Sequence, residues 1–130
     1  MNKIKLYLKR LGFKYKVKKV MRSRKVKSLN TLVVTHADRQ IGKTTYLVDL
    51  ISKDEHGVLV VANENHKRYA QSNFPGVKIY TALELIRERR HYSRLNFNLY
   101  IDECVAQSEV EALMPYYTVR IFLQYKHVNK

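Results

Sequence analysis

The sequence predicts an α/β fold, with a mostly parallel sheet of about five strands and helices on both of its faces. Five short apolar runs alternate with segments of helical periodicity across residues 29–130. This alternation is typical of strand–helix–strand units with parallel strands. The run at residues 58–61 is apolar throughout, as a strand buried on both faces would be. With 130 residues, 45% of them hydrophobic, the chain fits one domain with a core of its own.

The first predicted strand runs from Thr31 to Thr35, and a helix is predicted over about Lys43 to Ser52. This helix opens with Gly-Lys-Thr-Thr at residues 42–45, directly after a polar loop. The order of strand, loop and helix indicates a phosphate-binding loop, in which backbone N–H groups at a helix N-terminus bind phosphate oxygens. In such a loop Lys43 would reach the terminal phosphates of a nucleotide, and the Thr44 hydroxyl would hold Mg²⁺.

The match to the full pattern G-x-x-x-x-G-K-[ST] is incomplete, because Ala37 stands where the pattern has its first glycine. Alanine restricts the backbone more than glycine does, so the loop must enter the site by a slightly different path. Gly42 is kept at the position where the backbone comes closest to the phosphates. The alternative interpretation is a chance Gly-Lys-Thr sequence at the start of a helix.

A later predicted strand covers Leu95 to Ile101 and ends in the acidic pair Asp102 and Glu103. The carboxyl ends of parallel strands form the edge at which open α/β sheets bind ligands. There, Asp102 would complete the Mg²⁺ shell, and Glu103 would orient and deprotonate an attacking water. The alternative is an aspartate that caps the next helix beside a solvated glutamate.

Residues 38–45 resemble the Walker A segment of phage large terminase ATPases and, more broadly, of helicase-like P-loop NTPases whose Walker B motif ends in Asp-Glu. In terminases this segment often reads Arg-Gln-x-Gly-Lys-Thr, without the usual first glycine. The resemblance covers about residues 30–125. It implies a truncated relative, because 130 residues leave no room for the larger ATPase domain and the nuclease domain of terminases. Motor activity is not implied.

The resemblance also implies roles for individual residues. Arg39 would be an arginine supplied in cis to the transferring γ-phosphoryl group, although a loop arginine that is exposed or paired with Asp38 is the alternative. The last predicted strand, residues 118–123, would lie between the phosphate-loop strand and the Asp-Glu strand. Gln124 would then face the γ-phosphate, although a polar residue at a strand end is ordinary. The residues implied to cradle the phosphates are Asp38, Arg39, Gln40, Ile41, Gly42, Lys43, Thr44 and Thr45.

The middle of the chain is predicted from local signals. Residues 63–66 open a polar helical segment that Asn63 or Asn65 is expected to cap. In helicase-like relatives this junction contributes to nucleic-acid or nucleotide contact, and capping is the interpretation favoured here. A turn at residues 74–76 leads to a short strand over residues 77–80.

Two further helices are predicted from their caps. Thr81 is expected to be the N-cap of a helix that buries Ala82, Leu83, Leu85 and Ile86. Residues 108–111 have the spacing of a capping box, and Pro115 would end that helix. The buried side of this last helix is expected to comprise Val110, Leu113 and Met114.

The net charge of +14 is concentrated at the N-terminus. Residues 1–27 hold 12 of the 25 basic residues and no acidic residue, whereas the other 13 basic residues face all 11 acidic residues, a net charge of +2. The sequence therefore predicts a basic arm over residues 1–28 and a nearly neutral P-loop NTPase-like domain over residues 29–130. Within the arm, helical spacing joins Ile4, Tyr7, Leu8 and Leu11, whereas a strand-like alternation with lysines joins Phe13, Tyr15 and Val17.

Cations beside apolar and aromatic side chains favour nucleic acid as the partner of residues 1–27, with phosphates bound by cations and bases stacked on aromatics. The alternatives are a tail that covers the sheet edge of the domain, an anionic membrane surface and an acidic protein surface. A membrane span is not expected, because no run of eighteen or more apolar residues is present. The single cysteine, Cys104, fits a reducing cytoplasm and is expected to be a small buried residue.

Together these patterns predict a small P-loop protein, phage-encoded by the resemblance and acting in the host cytoplasm. It would bind ATP with Mg²⁺, hydrolyse the ATP, act on or with nucleic acid, and assemble with itself or with a larger complex. Its catalytic residues would be Lys43, Glu103 and Arg39, and its metal ligands Thr44 and Asp102. The alternative is a non-enzymatic binding protein, such as a phage factor that inhibits or recruits host machinery, which keeps the fold without the chemistry.

Overall fold

The computed structural model describes residues 3–22, 31–34 and 42–125. The strands are β1 (Thr31–Val34), β2 (Gly57–Val61), β3 (Ile79–Thr81), β4 (Asn98–Ile101) and β5 (Thr118–Tyr125). The helices are α1 (Lys3–Arg22), α2 (Lys43–Ser52), α3 (Glu64–Asn73), α4 (Ala82–Arg87), α5 (Arg89–Tyr92) and α6 (Gln107–Leu113), with a short 3₁₀ turn at Ser93–Leu95.

The five strands form one sheet in the order β1-β5-β4-β2-β3, and every neighbouring pair is parallel. The predicted α/β class and strand number are therefore confirmed. β5 lies between β1 and β4, which is the position expected for the last strand. α2 lies between β1 and β2 in the chain, whereas β5 and β4 lie between these two strands in the sheet.

The core consists of two apolar layers, one on each face of the sheet. Along β2, Leu59 and Val61 point into one layer, and Val58 and Val60 point into the other. Helices α1, α2 and α3 contribute to the first layer, and α4 and α6 contribute to the second. Helices therefore cover both faces, as a parallel sheet buried on both sides requires.

Helix α1 corrects the strand-like interpretation of residues 13–17. It runs without interruption through Gly12, and it lies against β1 and β5. Phe13 and Val17, four residues apart, are 5% and 0% exposed and belong to the first core layer. Positions four apart share one face of a helix, so burial of both side chains favours the helix over a strand. The inner face of α1 thus covers the sheet, which is one of the alternatives for the arm.

The outer face of α1 is exposed and strongly basic. Ile4, Tyr7, Leu8 and Tyr15 are each more than half exposed. The helix carries Lys3, Lys5, Lys9, Arg10, Lys14, Lys16, Lys18, Lys19 and Arg22, and no acidic residue. Within the described ranges, no helix is long and apolar enough to cross a membrane.

Several helix caps are as predicted. α2 has the predicted bounds, and Asn63 caps α3 by accepting a hydrogen bond from the backbone N–H of His66 at 3.0 Å. Thr81 caps α4 in a full capping box with Glu84: each side chain accepts a hydrogen bond from the other residue's backbone N–H, at 3.1 and 3.0 Å. These short polar contacts fix the start of each helix at the carboxyl end of the preceding strand.

Three local predictions are wrong. Leu83 is 45% exposed, because it lies on the outer side of α4. The capping box predicted at Ser108 does not form: α6 begins at Gln107 after Ala106, which makes no side-chain cap. Met114, expected on the buried side, follows the end of α6 and is 37% exposed. In each case the sequence spacing is correct for a helix, but it does not fix which turn begins the helix or which side is buried.

A polar cluster lies at the amino end of β2 and β4, the edge of the sheet opposite the carboxyl ends. The Asp54 carboxylate accepts hydrogen bonds from the Asn98 amide at 3.1 Å, the Tyr100 hydroxyl at 2.8 Å and the backbone N–H of His56 at 3.0 Å. Burial alone would raise the pKa of Asp54, but these bonds and the charge of Arg120 lower it below its ordinary value. Burial and the bond to Asp54 raise the pKa of Tyr100 to about 12.

The docking of α1 can be tested with two aromatic residues two positions apart. We expect Phe13→Ala to lower the free energy of unfolding by about 3–5 kcal/mol, because it removes a buried ring. Tyr15 is 68% exposed, so Tyr15→Ala should change the stability by less than about 0.5 kcal/mol. Urea unfolding measures both variants. Equal effects would show that α1 does not contribute to the core.

The Asp54 cluster makes stability depend on pH at both ends of the scale. The folded pKa of Asp54 is below its unfolded value, so its contribution is present near neutral pH and is lost as acid titrates the folded carboxylate. The raised pKa of Tyr100 has the opposite sense: stability falls as the pH rises from about 10 to about 12.

We therefore expect Asp54→Asn to cost about 1.5 kcal/mol near pH 7, where charge-assisted hydrogen bonds are lost. The difference from wild type should shrink below about pH 4, where the wild-type carboxylate is itself protonated. Urea unfolding of both proteins at a series of pH values measures this difference in the free energy of unfolding. A difference that stays constant down to about pH 2 would contradict the assignment of Asp54 as the titrating group.

Candidate functional site

The start of α2 and the end of β4 meet at the carboxyl edge of the sheet. The Thr44 hydroxyl donates a hydrogen bond to an Asp102 carboxylate oxygen at 3.0 Å. The Lys43 ammonium lies 3.6 Å from the Glu103 carboxylate. The structure thus brings together four residues that the sequence singled out in two motifs 58 positions apart.

Gly42 shapes the start of α2. Its φ angle of +78° is in the left-handed region, where glycine is favoured because it has no Cβ. Its carbonyl accepts the first hydrogen bond of the helix, from the backbone N–H of Tyr46 at 2.9 Å. Among the described residues, no side chain caps α2. The first N–H groups of a helix have no intrahelical acceptor, so this end of α2 has the chemistry of an anion site.

Lys43 carries a charge in an unusually buried place. The residue is only 8% exposed, and no other charged residue in the described part of the chain is as buried. A buried ammonium is stable only beside negative groups, and Glu103, with a side chain 29% exposed, supplies one of them. The separation of 3.6 Å makes this contact an ion pair rather than a short hydrogen bond.

A cavity of about 540 Å³ opens in front of these residues. Its volume is within the range of small-molecule sites in proteins. One wall is the start of α2, and another is formed by Asp102, Glu103 and Cys104. The third wall is α3, which contributes His66, Tyr69, Ala70 and Asn73, followed by Phe74.

The α3 wall was expected only in part: nucleotide contact by residues 63–66 was the less favoured alternative, and the contribution of Tyr69 was missed. The sequence favours a helix cap at residues 63–66, and Asn63 is that cap. His66, three residues later, nevertheless lines the cavity together with Tyr69. The signal available was the composition of α3: it is mostly polar, and Ala70 is its one buried residue, so most of its side chains are left to face solvent or a cavity.

Thr44 and Asp102 suit Mg²⁺. This ion prefers oxygen ligands, and protein sites commonly offer it one or two carboxylates or hydroxyls, with phosphate and water completing the shell. The two oxygens are already adjacent, at 3.0 Å. In the described ranges, no group of three or more His, Cys, Asp or Glu side chains could hold a metal ion by itself. Thr44 and Asp102 together offer two oxygen ligands for such an ion, and phosphate or water would have to supply the others.

The remaining predicted residues have different outcomes. Asp38, Arg39, Gln40 and Ile41 lie outside the described residues. Thr45 lines the cavity. The Gln124 side chain donates a hydrogen bond to the Gln107 side chain of α6 at 2.9 Å, and it does not line the cavity.

Cys104 is exposed, so its predicted burial is wrong. It follows Asp102 and Glu103 in the loop after β4, and it lines the cavity. Partial burial and the charges of Glu103 and Asp102 raise the pKa of its thiol, against the opposing charge of Lys43. A raised pKa disfavours the thiolate, which is the nucleophilic form of cysteine.

The backbone of Gly42 can be tested against a second glycine. We expect Gly42→Ala to lower the free energy of unfolding by about 1 kcal/mol or more, because alanine is strained at a positive φ. Gly12 is in the middle of α1, and a Cβ there would meet nothing within 4 Å. Gly12→Ala should therefore raise the stability by about 0.5–1 kcal/mol.

Thermal or urea unfolding of the two variants provides the comparison. We expect the two variants to change the free energy of unfolding in opposite directions. The same substitution is made at a residue with left-handed backbone in one case and at a helical residue in the other. If Gly42→Ala left the free energy of unfolding unchanged, the left-handed backbone conformation of residue 42 would be contradicted.

Comparisons of this chain with models of protein families, with curated protein sequences and with solved structures find no match in any of the three. The chemistry open to the site is therefore inferred from its own residues.

Proposed function

We propose that this protein is a small P-loop ATPase: it binds ATP with Mg²⁺ in the cavity before α2 and hydrolyses it. The observation that carries this proposal is the pairing of Thr44 with Asp102 and of Lys43 with Glu103. A helix N-terminus, a lysine, a hydroxyl and two carboxylates are the groups that P-loop NTPases use on phosphates and Mg²⁺. The parallel sheet, with β5 between β1 and β4, supports the same assignment.

Each residue has a defined task in the proposed reaction. The backbone N–H groups at the start of α2 and the Lys43 ammonium bind the phosphates. Thr44 and Asp102 would hold Mg²⁺, and the ion would supply positive charge against the phosphates. Lys43 exchanges its contact with Glu103 for phosphate oxygens. The Glu103 carboxylate then orients water and accepts its proton as the water oxygen bonds to the γ-phosphorus, while the bond from that phosphorus to the β–γ bridging oxygen breaks and ADP leaves.

Arg39 has the role of a cis arginine finger in this proposal, by resemblance alone. The basic outer face of α1 is proposed to bind nucleic acid. It offers a high density of cations for phosphates, and Tyr7 and Tyr15, 61% and 68% exposed, can stack on bases.

Variants of Lys43 and Glu103 separate binding from chemistry. Lys43→Ala should weaken ATP·Mg²⁺ binding at least about tenfold, because it removes a charge-assisted contact with the phosphates. Glu103→Gln should retain binding but lower the hydrolysis rate by about 10²–10⁴-fold, because an amide cannot accept the proton. Calorimetric titration with ATP and with a non-hydrolysable analogue measures affinity, and phosphate release measures the rate.

Lys53→Ala is the matched control, since Lys53 is an exposed lysine at the other end of α2. It should leave both quantities unchanged. If ATP binds and Lys43→Ala leaves its affinity intact, the P-loop assignment is wrong. If ATP binds but wild type and Glu103→Gln release phosphate equally slowly, the protein is a binding module that keeps the fold without the chemistry.

The nucleic-acid proposal predicts a salt-dependent contact through α1. We expect the double variant Lys18→Gln/Lys19→Gln to weaken oligonucleotide binding and to reduce the slope of log K against log salt by about 1.5. The double variant Lys53→Gln/Lys78→Gln removes the same charge from exposed positions elsewhere and should change neither quantity. Fluorescence anisotropy measures both. Binding to anionic vesicles without binding to oligonucleotides would overturn the proposal and assign α1 to a lipid surface.

A further inference from the structure

An apolar stripe runs along α1 on the side that faces away from the sheet. Four large apolar side chains, each between 44% and 68% exposed, form this outer stripe: Ile4, Leu8, Leu11 and Tyr15. The steps between them are four, three and four residues, the spacing of side chains that lie in one line along a helix. Phe13 and Val17 are buried on the opposite side. α1 therefore has one apolar side against the sheet and a second one in solvent.

Nucleic acid, the partner already proposed for α1, does not account for the outer stripe. Phosphates are bound by cations, and bases stack on aromatic rings, so nucleic acid uses the lysines and tyrosines of the helix. The side chains of Ile4, Leu8 and Leu11 offer neither a charge nor a ring. Contiguous exposed apolar side chains with a polar rim are typical of a surface that another molecule covers. The stripe therefore indicates a further partner.

The width of the outer stripe favours a helix as that partner. At about 100° per residue, the four side chains occupy only about 60° of the helix circumference. A seam this narrow, with steps of four and three residues, is the pattern by which two helices pack side by side in a coiled coil. A helix that lies in a lipid surface needs a broad apolar face, whereas the other apolar side of α1 is buried against the sheet.

The charges beside the outer stripe define the chemistry of the partner helix. By helical spacing, Lys5 and Lys16 flank the stripe on one side and Lys18 flanks it on the other, and all three are exposed. Residues that flank an apolar seam form ion pairs between the two helices and set the choice of partner. α1 carries nine cationic residues and no acidic one. A second copy of α1 would therefore be repelled, whereas a helix rich in Asp and Glu would be attracted.

We propose that the outer stripe of α1 is a docking site for a partner protein, which supplies an amphipathic helix with one apolar seam and carboxylates on both sides of it. The two helices pack over about three turns, with the partner's apolar side chains against Leu8 and Leu11. This inference goes beyond the proposed ATPase activity and does not depend on it. The docking site overlaps the cations that are proposed to bind nucleic acid, so the partner helix and nucleic acid exclude one another.

The test uses two labelled synthetic peptides and the full chain. The seam peptide has about three heptads, with leucine at positions a and d and glutamate at positions e and g. The control peptide has the same residues in an order that scatters the leucines around the helix. Both peptides carry the same charge, but only the seam peptide can bury apolar side chains against the outer stripe. We therefore expect the chain to bind it at least about tenfold more tightly, as measured by fluorescence anisotropy.

The double variant Leu8→Gln/Leu11→Gln removes the apolar seam without changing the charge. Both leucines are exposed and glutamine has about the helix propensity of leucine, so urea unfolding should show a stability close to that of wild type. The variant should bind the seam peptide at least about tenfold more weakly and keep its oligonucleotide affinity within about twofold. Leu83→Gln/Leu95→Gln makes the same change at exposed leucines elsewhere and should alter neither affinity.

Two further measurements test the charges and the overlap. The charge reversal Lys5→Glu/Lys16→Glu should weaken binding of the seam peptide and strengthen binding of a version with lysine at positions e and g. Unlabelled oligonucleotide should displace the seam peptide from wild type. Charge reversal that affects both peptides equally, or simultaneous binding of peptide and oligonucleotide, would contradict the proposed surface.

The outcomes distinguish the docking site from the proposed function. Equal affinities for the two peptides, or seam-peptide binding that survives Leu8→Gln/Leu11→Gln, would overturn the docking site and leave the ATP and nucleic-acid proposals standing. If wild type instead binds phosphatidylglycerol vesicles, or associates with itself, and the double variant does not, the stripe belongs to a lipid surface or to a second copy, and the proposal is wrong. Seam-peptide binding without oligonucleotide binding would support the docking site and overturn only the nucleic-acid proposal.

Discussion

The hydrogen bond between Thr44 and Asp102 joins the two halves of the site, and it depends on how the sheet is ordered. β1 and β2 are consecutive strands, but β5 and β4 lie between them. α2 follows β1 in the chain, yet it begins beside the carboxyl end of β4, where Thr44 meets Asp102. A sheet with β1 beside β2 would leave the start of α2 away from Asp102. Topology thus sets the proximity, and Gly42 sets the direction in which the helix starts.

The charged and polar groups at this edge satisfy one another. Lys43 is buried beside Glu103, and Asp102 accepts bonds from Thr44 and from the backbone N–H of Glu103. Each group that would serve a phosphate or Mg²⁺ therefore has a partner of opposite character within the protein. An anionic ligand and a cation together can replace these partners without leaving a buried charge uncompensated, whereas either alone would leave one. This reasoning favours a ligand that carries both, such as a nucleotide with its metal ion.

Sequence reasoning succeeds for this chain where the signals are local, and it fails where tertiary contacts decide. The Gly-Lys-Thr-Thr sequence marks the start of α2, and the proximity of Asp102 to Thr44 follows from a general rule on the carboxyl ends of parallel strands. The spacing of Phe13 and Val17, by contrast, fits both a strand with a period of two and one face of a helix. Only their burial against the sheet decides between strand and helix. A cavity of about 460 Å³ between α1 and α2 could not be predicted at all, since it exists only where these two helices meet.

The position of β1 at the edge of the sheet has a consequence for removing the N-terminal helix. Among the described strands, β1 pairs only with β5, so its other side offers backbone donors and acceptors that another chain could use. α1 lies against both strands, and Phe13 and Val17 belong to the core beneath it. A chain shortened to begin at β1 would present an open strand edge next to uncovered apolar surface, and such a combination favours self-association. The basic helix therefore also covers apolar surface that the shortened chain would expose.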